Sequence, residues 1–172
     1  MYSLKPGIKQ NPERRWALPD RIFFGHGACH ILAGVYLRDV GIPGFFAERI
    51  IPANGLPGNH IFISDGNIAF DYHGYSGRGR LLLHHRKIWS LRHDLWDFRI
   101  EKVEFDLLNT SELNDRKMLG PDQYFGDPID RARQYLSRID HSKAISRCRN
   151  LLVLARSHGS SNPVSPACSL KQ

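Results

Sequence analysis

Of the three cysteines in the sequence, Cys29 has the setting in which a thiol can do chemistry. It follows Gly25, Gly27 and Ala28, and it opens a segment with apolar side chains at Leu32, Ala33, Tyr36, Leu37 and Val40. That spacing predicts a helix over residues 29–40, closed by Gly41 and Pro43. In the first turn of a helix, unpaired backbone N–H groups and the helix dipole favour negative charge. A cysteine placed there has a lowered pKa and a stabilised thiolate, the nucleophilic form. The other fate open to Cys29 is that of a buried structural side chain.

A base and its partner are offered by His60-Ile-Phe-Ile-Ser-Asp-Gly-Asn-Ile-Ala-Phe-Asp71. Two β-rich arms flank Asp65-Gly66, a favoured two-residue hairpin turn. With that turn Ile63 faces Ile68, Phe62 faces Ala69, Ile61 faces Phe70 and His60 faces Asp71. Directly opposite residues share a face, with Cβ atoms roughly 4.5–5.5 Å apart. An imidazole and a carboxylate at that separation can hydrogen-bond. The carboxylate then fixes the ring tautomer and stabilises the imidazolium, leaving the second nitrogen to face a thiol. On the alternative reading the pair only decorates a sheet edge and has no tie to Cys29.

A cysteine at a helix start, followed by His and then Asp on neighbouring antiparallel strands, is the layout of a Cys-His-Asp triad. With Cys29-His-Ile-Leu-Ala33, His60-Ile-Phe62 and Asp71-Tyr72, the sequence resembles the transglutaminase-like branch of the papain-like cysteine hydrolase superfamily over residues 22–75. The run His26-Gly-Ala-Cys-His30 is also similar to small bacterial and phage proteins that carry an HGxCH start and a later His…Asp pair. The resemblance implies an α+β fold in which the Cys-bearing helix packs on a small antiparallel sheet. It further implies thiol acyl transfer, with Cys29 attacking a carbonyl, His60 shuttling the proton and Asp71 orienting His60. A peptidase, amidase or acyltransferase acting on a peptide or amide, without a cofactor, is the expectation. Arylamine acetyltransferases use the same triad order, so the acyl donor and acceptor stay open. Papain-type enzymes place a Gln shortly before the cysteine as oxyanion donor, whereas Gln10 lies far upstream here. The Cys29 backbone N–H, helped by His26, would take that place.

His26 and His30 are secondary site candidates. Together with Cys29 and His60 they offer nitrogen and sulfur to zinc, but His26-x-x-Cys29-His30 is not a zinc spacing and neighbouring helical side chains point apart. No metal is expected. His30 reads as a partly buried residue with a local hydrogen bond, and His84, His85 and His93 as the solvated face of a basic helix.

The elements that must position these residues can be read more coarsely. Residues 44–51 form a short strand ahead of the hairpin, Leu81–Leu95 a basic amphipathic helix, and Phe98–Leu107 an alternating strand. Asp127-Pro128, a cap followed by proline, starts a helix that runs to Ile139. Residues 1–20, with Pro6, Gly7, Pro12 and Pro19, read as an extended arm, and residues 157–172, rich in Ser, Gly, Asn and Pro, as a disordered tail. Residues 21–156 are left as a single α+β domain.

A chain of 172 residues, 41% hydrophobic and 24% charged, excludes wholesale disorder, collagen and coiled coil. The formal charge is +7, but residues 140–172 supply +4 of it and the rest of the chain only +3. So weakly basic a body argues against a nucleic-acid groove. The apolar runs are too short to cross a bilayer, which predicts no membrane partner. The start lacks the apolar core of a signal peptide, and three cysteines are an odd, sparse set. Together these predict a soluble, cytoplasmic protein. Two further readings stand beside the enzyme: a catalytically inert transglutaminase-like protein that binds a partner, and a basic accessory protein that binds nucleic acid through the tail and Arg78–Arg92.

Overall fold

Apolar and aromatic residues gather in five short runs that pair into one sheet. A computed structural model describes residues 7–8 and 10–159. Its strands are β1 (Phe46–Pro52), β2 (His60–Ser64), β3 (Ile68–Asp71), β4 (Gly74–Gly77) and β5 (Phe98–Lys102). They lie in the order β4-β3-β2-β1-β5, every neighbouring pair antiparallel. Among the described residues the helices are α1 (Pro12–Trp16), α2 (Asp20–Gly25), α3 (Cys29–Val35), α4 (Arg78–Ser90), α5 (Thr110–Asn114), α6 (Pro128–Ser137) and α7 (His141–Gly159). The architecture is α+β, as expected.

Every residue of β2 is buried, because the sheet is covered on both faces. Ala47, Ile61, Ile63, Ile68 and Phe70 pack with Ile31, Leu32 and Val35 of α3, Leu136 of α6 and Ile145 of α7. On the opposite face Ile50, Phe62 and Ala69 meet Leu81 of α4 and Trp96. Each such side chain removed from water contributes about 1.5–3 kcal/mol. The Cys-bearing helix does pack on the sheet, but α4 forms a second layer behind it. Arg78, the first residue of α4, ties that layer down through two bonds to Glu48 of β1, at 2.7 and 2.8 Å. The carboxylate also offsets a cation placed at the positive end of a helix.

After Val35 the α3 helix widens into a π turn over Tyr36–Val40 and stops at Gly41, whose left-handed N–H reaches Tyr36 O at 3.0 Å. The end predicted from Gly41 is therefore observed. Tyr36, fully buried, is linked through Tyr75 Oη to His141 Nδ1, each step 2.8 Å, and His141 Nε2 donates to Leu136 O at 3.2 Å. With Nε2 donating, Nδ1 accepts, so Tyr75 donates to His141 and Tyr36 to Tyr75. The chain of bonds satisfies the polar groups where α3, β4 and α7 meet.

The hairpin differs from the expected register. Ile63 pairs with Phe70 and Ser64 with Ala69, a slip of two residues along β3. The tight loop is Gly66-Asn67, not Asp65-Gly66. Asp65 stays at the ladder end, its N–H donating to Ile68 O at 3.1 Å while Oδ1 accepts from the N–H groups of Asn67 and Ile68 at 2.9 and 2.7 Å. Gly66 alone in the loop has positive φ, 90°, the pattern of a II′ turn with glycine first. Asp65 prefers to accept those N–H groups as a flanking residue than to occupy the loop itself.

Other differences follow from packing. Residues 12–16, expected within an extended arm, form α1, capped by Asn11 Oδ1 and started by Pro12. The α4 helix ends at Ser90, and β5 at Lys102, leaving Leu107 to turn into the core. Residues 141–159, within the 140–172 end taken for a basic tail, form α7, which buries Ile145 and Cys148. The expected disorder from Ser157 onward falls on residues of which 160–172 lie outside the described residues. No helix among the described residues is long and apolar enough to cross a membrane.

Candidate active site

Cys29 is the first residue of α3, which has no side-chain cap at Ala28. The core contacts of Ile31 and Leu32 fix the helix, and with it the thiol, at the end of the sheet where β2 begins. Cys29 Sγ accepts the backbone N–H of Ile61 at 3.5 Å. His60, the first residue of β2, and Asp71, the last of β3, point to the α4 face of the sheet. They are 5% and 7% exposed, and His60 Nε2 bonds Asp71 Oδ2 at 3.1 Å. In the observed register they are diagonal neighbours rather than opposite ones. A slip of two residues preserves the face, because side chains alternate with period two, and a long imidazole spans the diagonal.

Both Asp71 oxygens are engaged, since Oδ1 accepts the His73 N–H at 2.8 Å and lies 3.5 Å from His73 Nδ1. With Nε2 committed to Asp71, Nδ1 is the His60 nitrogen left to act on the Cys29 thiol. The three expected site residues thus come together at one end of the sheet, with His60 bonded to Asp71 and lining the same cleft as Cys29.

Electrostatics follow from that arrangement. Burial raises the Cys29 thiol, but hydrogen bonds and positive charge from His30 and His60 outweigh it and bring it from 9.0 to about 5. Burial lowers His60, and its bonds to Asp71 and Cys29 reverse this, lifting it from 6.5 to about 10. Burial pushes the Asp71 carboxyl up, but His60 and His73 hold it well below the usual carboxylate range. Between about pH 5 and 10 the arrangement favours a thiolate facing an imidazolium. The Cys148 thiol, by contrast, is pushed up by burial.

The secondary candidates divide. His26 lines the cleft beside Cys29. His30 is not partly buried with a local bond, as expected, but 3% exposed, and it donates Nε2–H to Leu119 O, 2.8 Å away and distant in the chain. Its imidazole also helps to lower the Cys29 thiol. Among the described residues no group of three or more His, Cys, Asp or Glu side chains could hold a metal ion.

The histidines of α4 correct the expectation of a solvated face. His84 is exposed, but the His85 ring stacks on His60, centroids 5.5 Å apart and planes 14° apart, and donates Nε2–H to Gly58 O at 2.7 Å. Burial and the neighbouring His60 charge lower His85 to about 4, which keeps it neutral beside the imidazolium. His93 stacks on Trp89 at 5.9 Å. The spacing Leu81-His85-Trp89, one face of a helix, is the sequence signal that places His85 inward. Tyr72 was also missed. Its ring stands edge-on to His60 at 5.5 Å and packs against Gly25, where a Cβ would approach it to 2.9 Å.

Around the thiol lies an open cleft of about 760 Å³, walled by the loop before α3, the loop before β2, the β3–β4 turn and α4. Its size is that of small-molecule sites. Comparison of the chain with protein-family models, curated proteins and solved structures finds no match.

Proposed function

We propose that the protein is a thiol enzyme of transglutaminase-like type that cleaves or transfers acyl groups from a peptide or amide. The observation that carries the reading is the cluster of Cys29, His60 and Asp71, with a thiol lowered to about 5 facing a histidine raised to about 10. A Cys-bearing helix against antiparallel strands that supply His and Asp also supports the papain-like arrangement.

In the reaction Cys29 Sγ attacks the substrate carbonyl and forms the C–S bond while the carbonyl π pair moves to oxygen. In this reading the Cys29 N–H and His26 serve as donors to that oxygen. As the tetrahedral adduct collapses, His60 Nδ1–H gives its proton to the departing amine and the C–N bond breaks. Neutral His60 then takes a proton from water or an acceptor amine, which attacks the thioester and releases Cys29. Asp71 holds Nε2–H throughout and fixes the tautomer, and neutral His85 stacked on the ring restricts its rotation.

Covalent capture tests this reading. A panel of acyl electrophiles, followed by mass spectrometry of the intact and digested protein, should add an acyl group to Cys29 ahead of Cys148 and Cys168. Folded protein with equal acylation of all three thiols would refute the enzyme reading in favour of an inert binding protein.

A further inference from the structure

Strand β4 pairs with β3 on one side and with no strand on the other. Its register says which backbone groups face the open side. Ile68 O accepts the Asp65 N–H at 3.1 Å, so Ile68 turns its backbone to β2, and its β4 neighbour Gly77 belongs to a pair that shares no hydrogen bond. One residue on, Arg78 N–H donates to Asn67 O at 2.7 Å, as that alternation requires. The N–H and C=O of Tyr75 and of Gly77 therefore point out of the sheet. Both residues line a second groove, of about 790 Å³, between β4, the start of α4 and α7. Ile139, Ala144, Leu151 and Leu152 give it an apolar wall, and Leu151 is 57% exposed. Three exposed cations line it too, Arg80 of α4 with Lys143 and Arg147, one turn apart on α7. Against them stands one carboxylate, Asp140, whose Oδ1 caps the helix by accepting the Lys143 N–H at 3.0 Å. The groove continues the Cys29 cleft, since Tyr75, Ser76 and Arg80 line both.

We infer that the substrate is an extended polypeptide with acidic side chains, which adds to β4 as a further antiparallel strand and lies in this groove while its carbonyl reaches Cys29. This rests on the acyl-transfer reading and names the substrate class of that site. Antiparallel addition continues the pattern of the whole sheet. The strand β4 runs from Gly74, in the lining of the Cys29 cleft, to Gly77, in that of the groove. An antiparallel partner enters at Gly77 and heads for the thiol, so the residues held are those before the bond to be cleaved. Main-chain bonds to Tyr75 and Gly77 supply affinity for any sequence, and the side chains supply the choice. Apolar ones meet the α7 wall, and acidic ones meet Arg80, Lys143 and Arg147. A small acyl compound fills the Cys29 cleft without touching the groove.

The test uses two peptides that end in a thiol-reactive vinyl sulfone, acetyl-Glu-Leu-Glu-Leu-Gly and acetyl-Lys-Leu-Lys-Leu-Gly. Rates of labelling at Cys29 of the full chain are read at neutral pH and low salt by mass spectrometry of the digest, each divided by the rate with N-acetylcysteine. The acidic peptide should lead by about three- to tenfold, and by less as salt is added. In Lys143→Gln/Arg147→Gln that lead should fall by about threefold or more, while iodoacetamide, too small to reach the groove, labels Cys29 of both proteins at one rate. Of two acidic peptides N-methylated on alternate residues, one should lose the lead and the other keep it, because an added strand turns every second N–H to β4. The same lead in wild type and double variant, a slowing shared with iodoacetamide, or equal effects of the two methylation patterns would overturn this inference and leave the enzyme reading standing. Labelling of Cys29 by both peptides no faster than N-acetylcysteine would overturn both.

Discussion

Replacing Asp71 by Asn keeps the shape of the side chain and changes only what it can accept. In the native protein Oδ1 takes the His73 N–H at 2.8 Å and Oδ2 takes His60 Nε2–H at 3.1 Å. An asparagine has one acceptor oxygen, and the backbone N–H of His73 cannot rotate away from it. The amide therefore turns its oxygen to His73 and its NH₂ to His60 Nε2, where two donors would meet if the ring stayed doubly protonated. The imidazolium loses a charge-assisted bond worth about 1.5–3 kcal/mol. At 1.36 kcal/mol per pKa unit, this lowers the His60 imidazolium by roughly one to two pKa units. His60, raised to about 10, should therefore fall to roughly 8–9, which narrows from above the pH range in which a thiolate faces an imidazolium. The assay is the pH dependence of Cys29 alkylation by iodoacetamide, followed by mass spectrometry, with near-ultraviolet circular dichroism to verify that the variant is folded. A folded Asp71→Asn protein whose alkylation profile between pH 7 and 10 coincides with that of the wild type would refute the hold of Asp71 on the imidazolium that faces the thiol.

Two further outcomes follow from the same geometry. Cys29, lower in the folded chain than its unfolded 9.0, adds stability that is lost as pH falls through about 5, whereas His60, higher than its unfolded 6.5, adds stability that is lost as pH rises through about 10. Their joint contribution is greatest between pH 6.5 and 9.0, and in Cys29→Ala the rise in melting temperature from pH 5 to 6.5 should disappear; an unaltered rise by calorimetry would count against the thiolate. Gly25→Ala places a methyl 2.9 Å from the Tyr72 ring, which must shift from the edge of His60, so Cys29 alkylation should slow by a few-fold at a stability cost of about 1–3 kcal/mol. Unchanged kinetics in that variant would show that Tyr72 does not help to hold His60.

How much of this was legible in the sequence depended on whether a signal was local. The end of α3 at Gly41 and the start of α6 at Asp127-Pro128 are set by single residues, and both are observed, the Asp127 side chain accepting from the N–H groups of Ile129 and Asp130. The hairpin was visible as two β-rich arms around a glycine, but its register was not, because Asp65 satisfies the same turn from outside the loop as from within it. The pairing of His60 with Asp71 survived that error through parity alone: a slip of one residue would have turned Asp71 to the α3 face, and a slip of two did not. By contrast α7 was hidden by its basic composition, although Ile145, Cys148 and Leu152 recur at helical spacing. His85 was read as solvated because a run of His and Arg looks polar; its inward position depends on α4 crossing the sheet, which a tertiary contact, Arg78 to Glu48, enforces.

The strand pleat also explains why the cluster lies where it does. Residues 60, 62 and 64 of β2 face α4, and residues 61 and 63 face α3. His60 and Asp71 therefore belong to the layer opposite the one that supplies Cys29, and within the body of the sheet a backbone layer would separate them. They can meet only where the sheet stops. His60 is the first residue of β2 and Asp71 the last of β3, so both stand at one end of the sheet, and Cys29 reaches that end because it is the first residue of its helix. The next backbone N–H, that of Ile61, is turned to the sulfur rather than to a strand oxygen. Each layer then fixes its own half of the pair, α3 through Ile31 and Leu32, and α4 through Arg78 and the His85 stack. The thiol and the histidine are thus fixed by separately packed layers, which is what the proposed acyl transfer requires of a nucleophile and its proton carrier.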